Sequence, residues 1–295
     1  MKKNLFSQEL EIYENASLKK YNTYHVECTC KYLIFPKNVE ELIKVINTCK
    51  NNKIKYIILG NGSNIILKNK EYNCAVIKLD RINDIKYNKT SVTVGAGYSL
   101  IKLAMETISK GYSGLEFASG IPGQVGASAA MNAGAYNVSM SDIVQKVSVL
   151  TPKLEIKELT NEELKYEYRD SFIKSNPDYI VVSVTIKLSK GNIEEMKKSV
   201  ADKRQKRLNS QPLDKPSAGS VFRNPENNYA GALIEELNLK GYKIGGAEVS
   251  TKHANFIINS GNATGQDIVK LIEKIQKEVK KKYNIELKLE QIIIK

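Results

Sequence analysis

Histidine is nearly missing from this chain: its 295 residues include two, His25 and His253. Cysteine is also sparse, with Cys28, Cys30, Cys49 and Cys74 all falling before residue 75. Four ligands at metal-site spacing cannot be assembled from that set, so the thiols read as structural and no metal is expected. No apolar run approaches the ~18 residues that a membrane helix needs. Met1-Lys-Lys leads into polar residues rather than a leader, so the expectation is a cytoplasmic protein without membrane contact. Acidic residues are in deficit, 32 against 45 lysines and arginines, for a formal net charge of +13. The lysines are scattered, and no RNP-like strand or basic helix accompanies them, so a solvated surface is expected rather than a nucleic-acid groove. Such an excess still favours anionic small molecules near a cleft.

One stretch has no lysine or arginine at all. Gly114 to Tyr136 holds five glycines, six alanines and one proline in 23 residues. Glycine carries an entropic cost in ordered structure, which something must offset. Two readings fit: backbone laid directly against a flat or phosphorylated ligand, or a tight crossing of two backbones in the core. Within it, Gly120, Gly123 and Gly126 stand three apart, a spacing that lets several amides converge on one anion while Pro122 limits flexibility.

In chain order, residues 1–20 read as a polar arm with an apolar patch at Leu10 and Ile12, and Tyr21 to Phe35 alternates as a strand. Asn38 and Glu41 stand at capping-box spacing before a helix that buries Leu42, Val45, Ile46 and Cys49. Ile54 to Leu59 reads as a buried strand entering Gly60-Asn-Gly-Ser-Asn64, and Ile65 to Leu67 resumes a strand. A third glycine and a following helix are both missing there, which excludes a Rossmann fingerprint. What remains is a turn of exposed amides that suits either a diphosphate or an ordinary hairpin. Strands are expected at Ala75 to Leu79, Ser91 to Val94, Val144 to Leu150 and Tyr179 to Leu188, with a short helix capped by Ser99 and stopped at Gly111. Thr264 and Asp267 open a helix with Ile268, Leu271, Ile272, Ile275 and Val279 on one face.

Taken together these motifs resemble one family. Gly60-Asn-Gly-Ser-Asn64, Gly95-Ala-Gly97, Gly120-Ile-Pro-Gly with Gly126, and Met131-Asn-Ala-Gly-Ala-Tyr136 are similar to the FAD-binding domain of the UDP-N-acetylenolpyruvoylglucosamine reductase, or MurB, family. Tyr168-Arg-Asp-Ser171, Pro216-Ser-Ala-Gly-Ser-Val-Phe-Arg-Asn-Pro225, Ile244-Gly-Gly-Ala-Glu-Val-Ser250 and Ile285-Glu-Leu-Lys-Leu-Glu290 continue the likeness in the family's order. The resemblance implies an α+β chain: a PCMH-type (vanillyl-alcohol-oxidase-like) FAD-binding domain of two α+β lobes over 21–190, then a C-terminal α+β substrate domain over 191–295, with 1–20 as an N-terminal arm. The chain's length and the short step after Arg169 resemble the type II form. It implies NADPH as reductant, FAD as cofactor and a UDP-sugar as substrate; a monomer is expected. The alternative is another flavin oxidoreductase of the same fold, against which the Ser220 and Glu290 motifs speak.

By the same resemblance the cofactor lies against Gly60, Asn61, Gly62, Ser63 and Asn64, against Gly95, Ala96 and Gly97, against Gly120, Ile121, Pro122, Gly123, Gly126 and Ala127, and against Asn132, Ala133, Gly134, Ala135 and Tyr136. Hydride delivery to an enolpyruvyl group pushes negative charge into its carboxylate, and a permanently charged, bidentate Arg169 suits that charge. The resemblance assigns proton donation to Ser220, and to Glu290 the polarisation of the intermediate; Glu286, four residues earlier, is the competing carboxylate. Tyr168 is an expected substrate contact. Lys215, Arg223 and Asn224 stand close to Ser220 in sequence and are expected to border the substrate's nucleotide and diphosphate, with Lys252 and His253 as weaker candidates. One departure concerns Glu27 and Cys28, which stand where the family carries a Gly-Gly pair after Asn22-Thr23.

Overall fold

The computed structural model describes residues 5–7 and 10–295. The chain divides into two compact units: one drawn from the described residues up to Glu14, Tyr32–Gly60 and Cys74–Arg204, the other from Asn15–Lys31, Asn61–Asn73 and Gln205–Lys295.

In the first unit the amphipathic helix Val39–Asn51 buries Leu42, Val45, Ile46 and Cys49, the four residues its periodicity singles out. The Asn38 side chain accepts from the Glu41 amide at 2.9 Å; Glu41 in turn accepts from Lys37, one residue before the cap. A four-stranded sheet runs in the order Glu11–Ser17, Thr29–Phe35, Glu71–Lys78, Tyr56–Leu59, with the last two parallel. A five-stranded antiparallel sheet runs Ile156–Thr160, Val144–Leu150, Ile180–Lys187, Ser91–Gly95, Ile85–Asn88. Helix Leu100–Ser109 starts where the Ser99 hydroxyl accepts from Lys102. Its Leu100, Leu103 and Ala104 join one core with Val92, Val94, Val147 and Val184.

The second unit has its own core, in which Ile66, Phe222, Ile234 and Val249 pack with helix Gly265–Tyr283. That helix opens on a closed capping box: Thr264 Oγ1 accepts from the Asp267 amide, and the Asp267 carboxylate accepts from the Thr264 amide. Strand Ile292–Ile294 lies parallel to Ile65–Leu67, in register from Ile292 opposite Ile65.

Two expectations fail locally. The expected arm contains strand Glu11–Ser17, and Leu10 and Ile12 pack on the first core; Met1 to Asn4, Gln8 and Glu9 lie outside the described residues. The expected strand Tyr21–Phe35 shortens to Thr29–Phe35, because the buried Asn22 amide turns the chain by bonding Leu18 O, Val26 O and Val26 N–H. Gly114 to Tyr136 contains a 3-10 turn, Glu116–Gly120, and a short helix, Val125–Ala130.

Candidate active site

In the first unit the glycine turns meet backbone to backbone. A Cβ added at Gly97 would stand 1.8 Å from Leu79 O, one at Gly95 2.4 Å from Ile82 O, and one at Gly126 2.6 Å from Ala96 Cβ. The amides there are engaged: Gly126 N–H donates to Ala96 O, Val125 N–H to Tyr98 O and Leu100 N–H to Gly123 O, all within 3.0 Å. At Gly95, Gly97 and Gly126, then, tight backbone crossing is what the glycine is for. Gly60 is looser: a Cβ there would be 3.3 Å from Ala127 Cβ and 3.6 Å from Gln124 Oε1. The side chain of Lys78, 2% exposed, reaches the Gly60 carbonyl at 2.5 Å and stands 3.4 Å from an Asp80 carboxylate oxygen. Burial draws its pKa below the ordinary lysine range, with Asp80 pulling the other way.

The loop Asn132 to Tyr136 is pinned by the next candidate. Asn132, Tyr136 and Arg169 all have positive φ. The Arg169 guanidinium donates to Gly134 O at 2.7 Å and to Asn132 O at 3.4 Å, and Asn132 Nδ2 returns a bond to Glu167 O at 2.8 Å. Ser171 Oγ donates to Ala130 O, and the exposed Tyr168 ring lies 5.2 Å from the Arg169 guanidinium carbon. The structure thus brings Tyr168 and Arg169 to the loop Asn132–Tyr136, holding the arginine in one orientation. Beside that loop a cleft of about 580 Å³ is lined by Gly114, Phe117, Tyr136, Met196 and Lys203, together with Glu116 and Glu195. Its two carboxylates suit it poorly to a diphosphate.

In the second unit Ser220 sits in a segment held from both sides. Glu290 N–H donates to Val221 O at 2.9 Å and Arg223 N–H to Lys288 O, while Val221 N–H donates to Asn255 O. The Asn255 side chain bonds both the amide and the carbonyl of Phe222, at 3.0 and 2.8 Å. Buried Gln291 donates to Ala218 O and Gly219 O and accepts from the Tyr24 hydroxyl. Ser220 and Glu290 are therefore neighbours across a backbone pairing, and Asn64 Nδ2 donates to the Glu290 carbonyl at 3.1 Å. A Cβ at Gly219, whose φ is +76°, meets nothing within 4 Å, so space opens beside Ser220. The competing Glu286 side chain is 79% exposed and pairs with Lys280 at 3.1 Å.

Of the remaining candidates, Asn224, Lys252 and His253 have structural partners of their own. Asn224 Oδ1 accepts from Ala230 N–H at the start of helix Ala230–Glu235. Lys252 donates to Leu208 O, and His253 Nδ1 accepts from Asn255 N–H, with burial, aided by Lys240, holding its pKa below the ordinary histidine range. Lys215 is exposed. At the departure from the family pattern, Glu27 faces outward to Ser17 and Lys19 while Cys28 is buried. The sequence reading missed Asn255, Gln291 and Lys78; the signal for the last was a charge inside the apolar run Cys74-Ala-Val-Ile-Lys-Leu79. Gly60, with room beside it that the crossings at Gly95, Gly97 and Gly126 lack, is the turn of this unit that fits the close approach of a flat cofactor such as FAD.

Comparison with known proteins covers nearly the whole chain. Residues 211–294 match the model of the UDP-N-acetylenolpyruvoylglucosamine reductase C-terminal domain, and residues 30–160 match that of an FAD binding domain. A UDP-N-acetylenolpyruvoylglucosamine reductase of Caldanaerobacter subterraneus is 43% identical over 280 residues, 95% of this chain and 92% of that protein. One from Bacillus pumilus is 38% identical, over 98% and 96%. The crystal structure of the Thermus caldophilus reductase (MurB) superposes with a TM-score of 0.82 at 33% identity, covering 97% of this chain and 99% of that one. A solvent-stable cholesterol oxidase, 15% identical with a TM-score of 0.50 over 63% of this chain and 39% of its own, shares the fold alone.

Proposed function

This chain belongs to the UDP-N-acetylenolpyruvoylglucosamine reductase family, and on that footing we propose how its own residues share the work. The enzyme is a UDP-N-acetylmuramate dehydrogenase, a flavoprotein that uses NADPH to reduce its enolpyruvyl UDP-sugar in peptidoglycan precursor synthesis. When bound, FAD supplies two-electron hydride chemistry between NADPH and the enolpyruvyl double bond. The net change adds one hydride and one proton across that bond, turning CH2=C into CH3–CH beside the carboxylate.

Charge builds on that carboxylate as hydride reaches the terminal carbon. Arg169 is the group to hold it: its charge is permanent, and its bonds to Gly134 and Asn132 fix the guanidinium before substrate arrives. Ser220 gives the proton to the carbon bearing the ether oxygen. A serine hydroxyl is a weak acid, so it needs a strongly basic carbon and an ordered setting. The observation that carries this assignment is the Glu290 amide bond to Val221 O, which sets the glutamate beside the serine's own segment. Glu290 polarises the intermediate together with Arg169, and Tyr168, Lys215, Arg223 and Asn224 serve the UDP-sugar. The cofactor uses the glycine turns from Gly60 to Tyr136. We assign FAD binding to residues 21–190 and substrate binding to 191–295, in keeping with the two family models matched within those ranges. The enzyme works as a cytoplasmic monomer without nucleic acid; no helix among the described residues is long and apolar enough to cross a membrane.

Ser220→Ala tests the assignment. Bleaching of the bound flavin by NADPH should be unchanged, whereas its reoxidation by substrate should slow by roughly 10²- to 10⁴-fold, measured by stopped-flow absorbance. Equal loss in the two half-reactions would remove Ser220 from the chemistry.

A further inference from the structure

Arg169 stands in a backbone conformation that an arginine rarely takes. Glu167 to Asp170 form a four-residue turn closed twice: the Asp170 amide donates to Glu167 O at 3.2 Å and the Glu167 amide to Asp170 O at 3.1 Å. Of the two central residues Arg169 has a positive φ, +57°, and Tyr168 does not. That is the pattern of a type II turn, whose third position glycine or asparagine ordinarily fills because a Cβ is strained there. Strain of this kind persists only where the surroundings impose it, and it gathers at functional sites. Lys174 is placed to impose it. Its ammonium donates to the Arg169 carbonyl at 2.6 Å, while the N–H of that same peptide is the one bonded to Glu167 O. With both sides of the peptide after Arg169 held, its plane cannot turn, and the side chain keeps the direction that brings the guanidinium to Gly134 O and Asn132 O. We propose that Lys174 is a positioning residue for the reduction, acting through Arg169: it locks the arginine in a glycine-type conformation that aims the guanidinium at the substrate carboxylate.

This rests on Arg169 receiving that carboxylate as read above. Lys174 has a firm base of its own. Ser171 Oγ accepts from the Lys174 amide at 3.2 Å and donates to Ala130 O at 2.6 Å, and the adjoining Ile173 is buried in the first core. Ala130, Asn132 and Gly134 belong to one stretch, so lysine, turn and loop form a single frame. The contact to the Arg169 carbonyl is charge-assisted, which makes it stronger than a neutral donor's. An arginine on a relaxed turn would have to be ordered each time substrate bound; here the backbone share of that cost is met in advance.

Stopped-flow half-reactions separate aiming from a purely structural duty. Lys174→Met should slow reoxidation of the reduced flavin by substrate about 10- to 100-fold, the range for misplacing a group that meets the substrate, and leave bleaching by NADPH within about twofold. Lys174→Arg, which keeps a charged donor, should stay within about threefold of wild type. Should Lys174→Met not fold, Lys174→Gln is measured in its place against the same limits. In an Arg169→Ala background, itself slow in reoxidation, adding Lys174→Met should change the rate by less than about twofold, because the lysine acts only through the arginine. Wild-type reoxidation in Lys174→Met, equal slowing of the two half-reactions, Lys174→Arg as slow as Lys174→Met, or effects that multiply in the double variant overturn the proposal. Wild-type reoxidation in Arg169→Ala alone overturns the reading of Arg169 itself.

Discussion

Ser220 gains its setting from amide contacts on either side of it. Gln291 fixes the carbonyls of Ala218 and Gly219 before it, Asn255 brackets Phe222 after it, and Glu290 bonds the residue between. A weak acid held in one orientation loses less entropy on reaching the transition state than one on a free loop. Gly126 makes the corresponding point in the first unit. A methyl group there would stand 2.6 Å from Ala96 Cβ, and the Gly126 amide already bonds Ala96 O, so the two segments cannot part cheaply. Gly126→Ala is expected to cost about 1–3 kcal/mol, read as a lowered first-unit melting temperature with weakened FAD retention. An unchanged melting curve would mean that the crossing is looser than its contacts indicate.

At the scale of elements, helix Gly265–Tyr283 is the most self-contained piece. Its capping box is closed at both bonds, and it ends on Asn284 in the left-handed region. Asp267 ties the cap to pH. Burial would raise its pKa, but the bonds from Thr264 and the Gly246 amide outweigh that and lower it. With the folded value below the unfolded one, its contribution is present above the ordinary aspartate range and is lost as pH falls through the depressed value. Thr264→Ala should therefore cost about 1 kcal/mol at neutral pH. That difference from wild type should shrink under acid, as measured by paired thermal melts. A cost independent of pH would show that Asp267 stays out of the cap's energetics.

At the scale of the whole molecule the described residues form two cores, and the last ten residues belong with the second. Leu287 is buried there, Glu290 and Gln291 hold the Ser220 segment, and Ile292–Ile294 pairs with Ile65–Leu67. Removing residues 286–295 is expected to abolish amide-exchange protection at Ile65–Leu67 and Val221–Phe222 along with turnover. Retained protection at those amides would contradict the closing part assigned to the tail. Much of this architecture could be read before any coordinates. Helix Val39–Asn51 and helix Gly265–Tyr283 announce themselves because periodicity and caps are encoded within a few residues of where they act. The motifs around Arg169, Ser220 and Glu290 are equally visible, since each is a short contiguous run. Other features were hidden. The bend at Asn22 looked like strand, because alternation does not reveal that a side-chain amide will capture the backbone. Glycine at 95, 97 and 126 has the same composition whether it faces a ligand or another backbone, and only the folded neighbours distinguish the two. The sequence by itself determined the elements, the family and the candidate chemistry, all carried by local pattern. Tertiary structure alone decided that Glu290 lies beside the Ser220 segment and that the Lys78 ammonium meets Gly60. Those contacts join residues far apart in the chain, and their geometry exists only once the intervening segments have packed.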